Sequence, residues 1–240
     1  MLRLTTLLSL ILVLSLLGTE AAYAAPSATL TGELEFTVSA DSPDVEATCA
    51  VQVENTGGDP LTQVRLVFPT ETVQNVEVTS AGQPLPCQTD RSGGSTRLVV
   101  SLPSPLSPGD KALVKLGYRL SGATNVRPEA ANHTRIPLFA SGDGVTLASF
   151  QARVVLPPGH KAVTFLPKAG ARVTPDPEPA VNWDLSSLPT YLEVSYALPG
   201  QKSPMAAFES WLIGLFLVLV AVVVVVVLRT MKTTGPQRPK

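Results

Sequence analysis

The sequence predicts an all-β exported region: an antiparallel β-sandwich over residues 25–120, then a second, smaller β unit over residues 121–198, with one C-terminal transmembrane helix. Three observations predict it. Apolar and polar residues alternate with a period of two through most of the chain, the mark of strands with one buried and one wet face. Clusters of Gly, Pro, Asn and Asp separate these runs. An uninterrupted apolar run from Trp211 to Leu228 then closes the pattern, with no charge between Glu209 and Arg229.

At the N-terminus, Arg3 precedes the mostly apolar stretch Leu4 to Leu17, and Ala22-Tyr23-Ala24 supplies a small-x-small exit. A positive start, a short apolar core and an A-x-A site read as a cleaved signal peptide over residues 1–24. The alternative is an uncleaved signal anchor, disfavoured because so short a helix crosses a bilayer poorly.

Strand candidates follow in order. Leu34, Phe36 and Val38 alternate with Glu33, Glu35 and Thr37. Val45, Ala47, Cys49, Val51 and Val53 share one face, with Glu46, Thr48, Gln52 and Glu54 on the other. Val64, Leu66 and Phe68 alternate with Gln63 and Arg65, and Leu98, Val100 and Leu102 with Arg97 and Ser101. Ala112, Val114, Leu116 and Tyr118 alternate with Lys111, Lys115 and Arg119. The turns between them are Asn55-Thr56-Gly57-Gly58-Asp59-Pro60, Ser92-Gly93-Gly94 and Ser107-Pro108-Gly109-Asp110. Short strands at this spacing predict a sandwich.

The second half is less regular. Residues 121–143 read as loop apart from Arg135 to Ala140, and Phe150, Ala152, Val154 and Leu156 then alternate with Gln151 and Arg153. Short runs at Ala162–Leu166, Val181–Leu185 and Leu192–Leu198 follow, and the proline series Thr174 to Pro179 separates the first two. Proline has no amide to give a ladder, so that series lies outside any central strand. These runs form either a separate small unit or the other half of one sandwich. Residues 199–209 make a stalk.

The apolar run itself spans about 27 Å at ~1.5 Å per helical residue, close to a bilayer's hydrocarbon core. A transmembrane helix is expected over residues 210–228 and a cytoplasmic tail over 229–240. Residues 26–207 carry 13 Lys/Arg against 17 Asp/Glu, whereas the tail holds Arg229, Lys232, Arg238 and Lys240 and no acid. Basic residues stay on the cytoplasmic side, which puts the β region outside and makes this a type I single-pass protein of the cell membrane. Trp211 would sit at the outer interface, and Arg229 and Lys232 at the inner one. Ala206, Ser210 and Gly214 recur every four residues and form a candidate helix-packing face.

Cys49 and Cys87, the only cysteines, both fall in the exported region, where an oxidising compartment permits a disulfide between them. Two free thiols are the alternative. His133 and His160 lie in polar, turn-rich context and read as solvated loop residues. Two histidines without H-E-x-x-H or C-x-x-C spacing give no zinc ligand set. Neither G-x-S-x-G nor a Gly-rich phosphate loop occurs, so no catalytic residue, metal site or cofactor is expected. Asp41-Ser42-Pro43-Asp44 and Ser141-Gly142-Asp143-Gly144 lack the repeated oxygen ligands calcium needs and read as turns. Asn132-His133-Thr134 is an N-x-T sequon. Leu198-Pro199-Gly200-Gln201-Lys202 departs from a wall-sorting signal, having neither its Thr nor the Gly that follows. The net charge of −1 carries no nucleic-acid signature.

Asn55-Thr56-Gly57 with Pro60 to Leu66, and Leu106 to Asp110 leading to Tyr118, resemble pieces of Ig-like domains of exported bacterial membrane proteins. Leu156-Pro157-Pro158-Gly159 and Val181-Asn182-Trp183-Asp184-Leu185 are similar to pieces of the β-rich N-terminal domain of M1-type aminopeptidases, and related-looking pieces occur in the lumenal part of ribophorin I. The resemblance covers about a third of the chain and implies a β-sandwich ectodomain. The zinc-binding helix of an aminopeptidase has no counterpart here, so nothing catalytic carries over.

The expectation is therefore a non-enzymatic binding or scaffolding module for another membrane or envelope protein. A glycan or envelope-polymer sensor is the alternative and a hydrolase without a recognisable motif the third. Exposed aromatics would mark glycan binding. Tyr191 is the clearest outward-facing one, and Tyr118, Tyr196 and Trp183 read as core.

Overall fold

A computed structural model describes residues 27–127, 130–142, 144–175 and 177–201, with Phe216, Val218 and Val220. The first half of the chain gives β1 (Ala28–Val38), β2 (Val45–Asn55), β3 (Leu61–Phe68), β4 (Val73–Ser80), β5 (Gln83–Pro84), β6 (Cys87–Ser92), β7 (Ser95–Leu106) and β8 (Lys111–Leu120). The second half gives β9 (Thr124–Asn125), β10 (Asn132–Pro137), β11 (Ala140–Ser141), β12 (Val145–Val155), β13 (Lys161–Leu166), β14 (Ala171–Thr174), β15 (Ala180–Leu185) and β16 (Tyr191–Ala197). The strands form an eight-stranded sheet, β14-β15-β12-β1-β2-β8-β4-β5, and two four-stranded sheets, β13-β16-β10-β9 and β11-β3-β7-β6.

The expected alternation sets the buried faces. In β2, Val45, Ala47, Cys49, Val51 and Val53 are buried while Glu46, Thr48 and Gln52 face water. Val114, Leu116 and Tyr118 of β8 and Leu98 and Val100 of β7 point into the same core. Placing such side chains out of water is the main stabilising term, at about 1.5–3 kcal/mol each. The outer face of the large sheet carries Glu33, Glu35, Thr48, Lys115 and Arg153, with Lys111–Glu54 at 3.1 Å and Arg153–Glu178 at 2.8 Å among its ion pairs.

Two expectations are corrected. Pairing is not wholly antiparallel: β12 lies parallel to β1, from Ala28↔Val145 to Thr37↔Val155. On its other edge β1 pairs antiparallel with β2. A parallel neighbour requires a long crossover, and residues 39–144 supply it. Nor does the large sheet stop at residue 120, because β12, β15 and β14 from the second half continue it. One apolar core runs across that point: Phe68 meets Tyr118 at 5.1 Å and Phe139 at 5.7 Å, and Phe139 meets Phe150 at 5.9 Å, all edge-on. Edge-to-face contacts of this kind are favoured by the ring quadrupoles.

Two glycines have backbone reasons. The β1 register shifts between Leu30 and Gly32. A Cβ at Gly32 would lie 2.2 Å from the carbonyl oxygen of Ala50, so only glycine fits that bulge. Gly109, at φ 85°, closes the turn between β7 and β8. Its N–H donates to Asn55 O at 2.8 Å, and the buried Asn55 amide donates to Leu106 O at 2.7 Å and Asp59 O at 2.9 Å. A buried amide so satisfied ties two of the expected turns together.

Among the described residues no helix is long and apolar enough to cross a membrane. The signal peptide and nearly all of the expected anchor lie outside the described residues. Phe216, Val218 and Val220 are helical and exposed.

Candidate binding site

The strands β10 and β16 pair antiparallel, setting Pro137 opposite Tyr191, Arg135 opposite Glu193 and His133 opposite Ser195. The Arg135 guanidinium lies 3.8 Å from the Tyr191 ring centroid, and its Nε is 3.5 Å from a Glu193 carboxylate oxygen. A cation over a ring face is held by the ring quadrupole, worth about 0.5–1 kcal/mol at an exposed site. Stacking and the Glu193 carboxylate orient the group. Among the described residues, the guanidinium's terminal nitrogens have no hydrogen-bond partner. Arg135 lines a cleft of about 380 Å³ whose other walls include Pro69, Thr70, Thr72, Gly122 and Thr190.

The walls are tied down locally. Arg135 N donates to Ala123 O at 2.9 Å and Ser121 N to Thr72 O at 3.1 Å. Thr96 Oγ1 donates to Thr70 O at 2.7 Å, and the Thr70 and Thr72 hydroxyls are 2.9 Å apart. Asp44 accepts the Gly122 N–H at 2.9 Å and pairs with Arg119. The Gly122 N–H holds the Asp44 carboxyl below its ordinary value; partial burial opposes this and Arg119 adds to it. The turn that borders the cleft is thus fixed by a carboxylate that sequence reading assigned to an ordinary loop. What the cleft can do is accept a carboxylate or a peptide carbonyl on planar donors, for which arginine is suited.

Tyr191 is exposed as expected, but Arg135 covers one face of its ring. Tyr118, Tyr196 and Trp183 are buried, again as expected.

The histidines are not solvated loop residues. His160 is buried with its ring edge-on to Tyr196 at 5.7 Å, and His133 is the second residue of β10. Sequence context misplaced them because His160 packs inward from a polar turn and His133 is half-buried on β10, on the face it shares with Arg135. His133 Nδ1 is 3.0 Å from Ser195 Oγ, a pairing that no linear motif announces. Ser195 is buried on a strand paired on both edges, opposite half-buried His133. Next to it, the hydroxyls of Thr124 and Thr134 are 2.8 Å apart, and Tyr196 Oη donates to Ser39 O at 2.8 Å. Burial raises the Tyr196 phenol, with the neighbouring Thr134, Asn132 and Thr124 partly opposing. The sequon residue Asn132 is also buried: its amide donates to Ala40 O at 3.2 Å and its carbonyl accepts Arg127 N at 2.7 Å.

Cys49 and Cys87 are free thiols, which corrects the expected disulfide. Cys49 is on β2 in the middle of the large sheet, with its Sγ 3.8 Å from Tyr118 Oη. Cys87 is on β6, whose Arg91 reaches Val73 O of β4 at 2.8 Å. The two thiols belong to different sheets, Cys49 to the eight-stranded one and Cys87 to the edge strand of β11-β3-β7-β6. Ala206, Ser210, Gly214, Trp211, Arg229 and Lys232 lie outside the described residues. The Arg135–Glu193 pair was missed in the sequence because its members are strands apart; a cation and an acid each next to an apolar strand residue was the one trace.

No protein-family model and no curated protein matches the chain. Solved structures similar to it include a two-domain M1 zinc metallopeptidase bound to L-tryptophan, at 16% identity over 72% of this chain and 44% of that one, with a TM-score of 0.47. The M1 zinc metallopeptidase from Deinococcus radiodurans gives 18% identity, 70% and 42% coverage and a TM-score of 0.46. Yeast LTA4 hydrolase in complex with bestatin gives 13%, 75%, 31% and 0.48. The chain spans less than half the length of each. Two of these structures are M1 zinc metallopeptidases, the family that one of the resemblances named.

Proposed function

We propose that the chain is a type I single-pass membrane protein whose exported β region is a non-enzymatic binding or scaffolding module for a membrane or envelope protein. The observation that carries the reading is the Arg135 cleft: a guanidinium oriented by Tyr191 and Glu193, whose terminal nitrogens have no partner among the described residues, between walls already fixed by hydrogen bonds. Preformed walls lower the ordering cost of binding. The partner segment this chemistry fits presents a carboxylate, from an acidic side chain or a chain terminus. The exposed helical Phe216, Val218 and Val220, and the basic tail beyond them, support the anchor.

The test places a photo-crosslinking residue at Thr72 in the full chain in its native membranes. A discrete crosslinked product is expected, and Arg135→Glu is expected to abolish it. A product that survives Arg135→Glu unchanged would sink the cleft as the binding site. Protease digestion of intact cells checks the topology, with the β region expected to be cut and the tail protected.

A further inference from the structure

We propose that an apolar strip along the edge strands β13 and β14 rests on the outer surface of the bilayer; this builds on the membrane-anchored reading above. Six large apolar side chains in the β region are well exposed, and four of them lie on β13, on β14 or just past β16: Val163 (40%), Leu166 (48%), Val173 (50%) and Leu198 (44%). Their proximity follows from the pairing. Strand β13 is the outer edge of its sheet and runs antiparallel to β16, with Lys161 opposite Ala197 and Leu166 opposite Glu193. Leu198 therefore flanks the start of β13, and Leu166 ends it about 17 Å away at ~3.3 Å per residue.

From Leu166 the chain turns at once into β14, the outer edge of the large sheet. Ala171 N donates to Lys168 O at 3.3 Å in that turn, and Trp183 Nε1 donates to Pro167 O at 2.7 Å. Phe165 packs edge-on to Trp183 at 6.4 Å. The two sheet edges are thus joined at one lip, with Val163 and Val173 left outside the core. Exposed apolar groups gathered in one place mark an interaction surface rather than scattered surface residues.

Two further facts select a bilayer as the occupant. The strip is interleaved with the exposed cations Lys161 and Lys168, and with Arg172, which pairs with Asp184 at 3.0 Å. Cations beside aliphatics suit an anionic interface, where the first meet headgroups and the second enter the acyl boundary. The chain also leaves from this strip: Leu198 and Gln201 form its last described turn, with Gln201 N donating to Leu198 O at 3.1 Å. Nine residues separate Gln201 from Trp211, a tether of at most about 35 Å. So short a tether keeps the lip beside the membrane.

The test uses the full chain reconstituted in phosphatidylcholine vesicles containing phosphatidylglycerol. Single cysteines at Val163, Leu166 and Val173, and at Leu113 as a control on the outer face of the large sheet, are introduced in a Cys87→Ser background and labelled with an environment-sensitive fluorophore. Headgroup-linked nitroxide lipids are expected to quench the three strip labels at least about twofold more than the label at Leu113. Leu166→Asn with Val173→Asn, both at exposed sites that leave the core intact, is expected to remove the quenching at position 163. Equal quenching at all four positions overturns the proposal, as does protection of the strip labels from lipid and aqueous quenchers alike, which would mean a protein covers them. Carbonate extraction separates the two readings. A full chain released by carbonate sinks the anchor, whereas a retained chain with unquenched strip labels sinks the strip alone.

Discussion

Replacing Phe139 by alanine tests whether the two halves of the chain share one core. Phe139 is buried between β10 and β11, edge-on to Phe68 at 5.7 Å and Phe150 at 5.9 Å. Phe68 ends β3 in the first half and Phe150 belongs to β12 in the second. Truncation removes the buried ring and both edge contacts at once. A buried Phe→Ala change costs about 3–5 kcal/mol, a third or more of the total for a typical domain. At a urea dependence of about 2 kcal/mol per molar, the midpoint falls by roughly 2 M. The assay is urea unfolding of the full chain in detergent, followed by far-ultraviolet circular dichroism and by Trp183 fluorescence in a Trp211→Phe background. Both probes are expected to move together. If the Trp183 transition shifts while the rest of the strand signal keeps its wild-type midpoint, the shared core is refuted and the halves are separate cooperative units.

Three other outcomes follow from the geometry. Because Asp44 is held below its ordinary carboxylate value, its contribution is complete above about pH 4 and is lost as pH falls through the lower folded value; Asp44→Asn should flatten the acid limb of the stability profile, and an unchanged limb would contradict the Gly122 contact. Burial pushes the Cys49 thiol up to about 12, with Tyr118 partly opposing, and also raises the half-buried Cys87; native protein at pH 8 should alkylate slowly at Cys87 alone, and unreduced denatured protein at both, whereas no labelling after denaturation would restore the disulfide. Gly32→Val drives a side chain into the Ala50 carbonyl and should lower stability by on the order of 1–3 kcal/mol in the same urea assay; an unaltered midpoint would refute the close approach.

The strands that could be read from the sequence are those whose alternation is unbroken. Strand β2 shows this, since its whole inward face is apolar over eleven residues. Strand β4 was not legible: Asn75 takes φ 49°, the register shifts between Gln74 and Glu77, and the period of two fails there. Strand β6 is polar and exposed along nearly all its length, so no buried face announced it. Period-two patterning also carries no direction, which is why the parallel β1–β12 pair read the same as an antiparallel one. At the candidate site, Tyr191 was recognisable as an outward aromatic, but its cover was not. Arg135 and Glu193 meet only through strand pairing, which no local window contains.

The parallel pair also orders events in time. Ala28 leaves the ribosome before its partner Val145, which comes more than a hundred residues later. At about 5–20 residues per second, β1 waits several seconds or more with one edge unpaired. Such distant pairing gives a high contact order and slow folding, and an open apolar edge in that interval is a site for misassociation. The centre of the large sheet is thus begun before its parallel partner and closed late, so a keeper that occupies the β1 edge during synthesis would serve this chain more than one that shields any later strand.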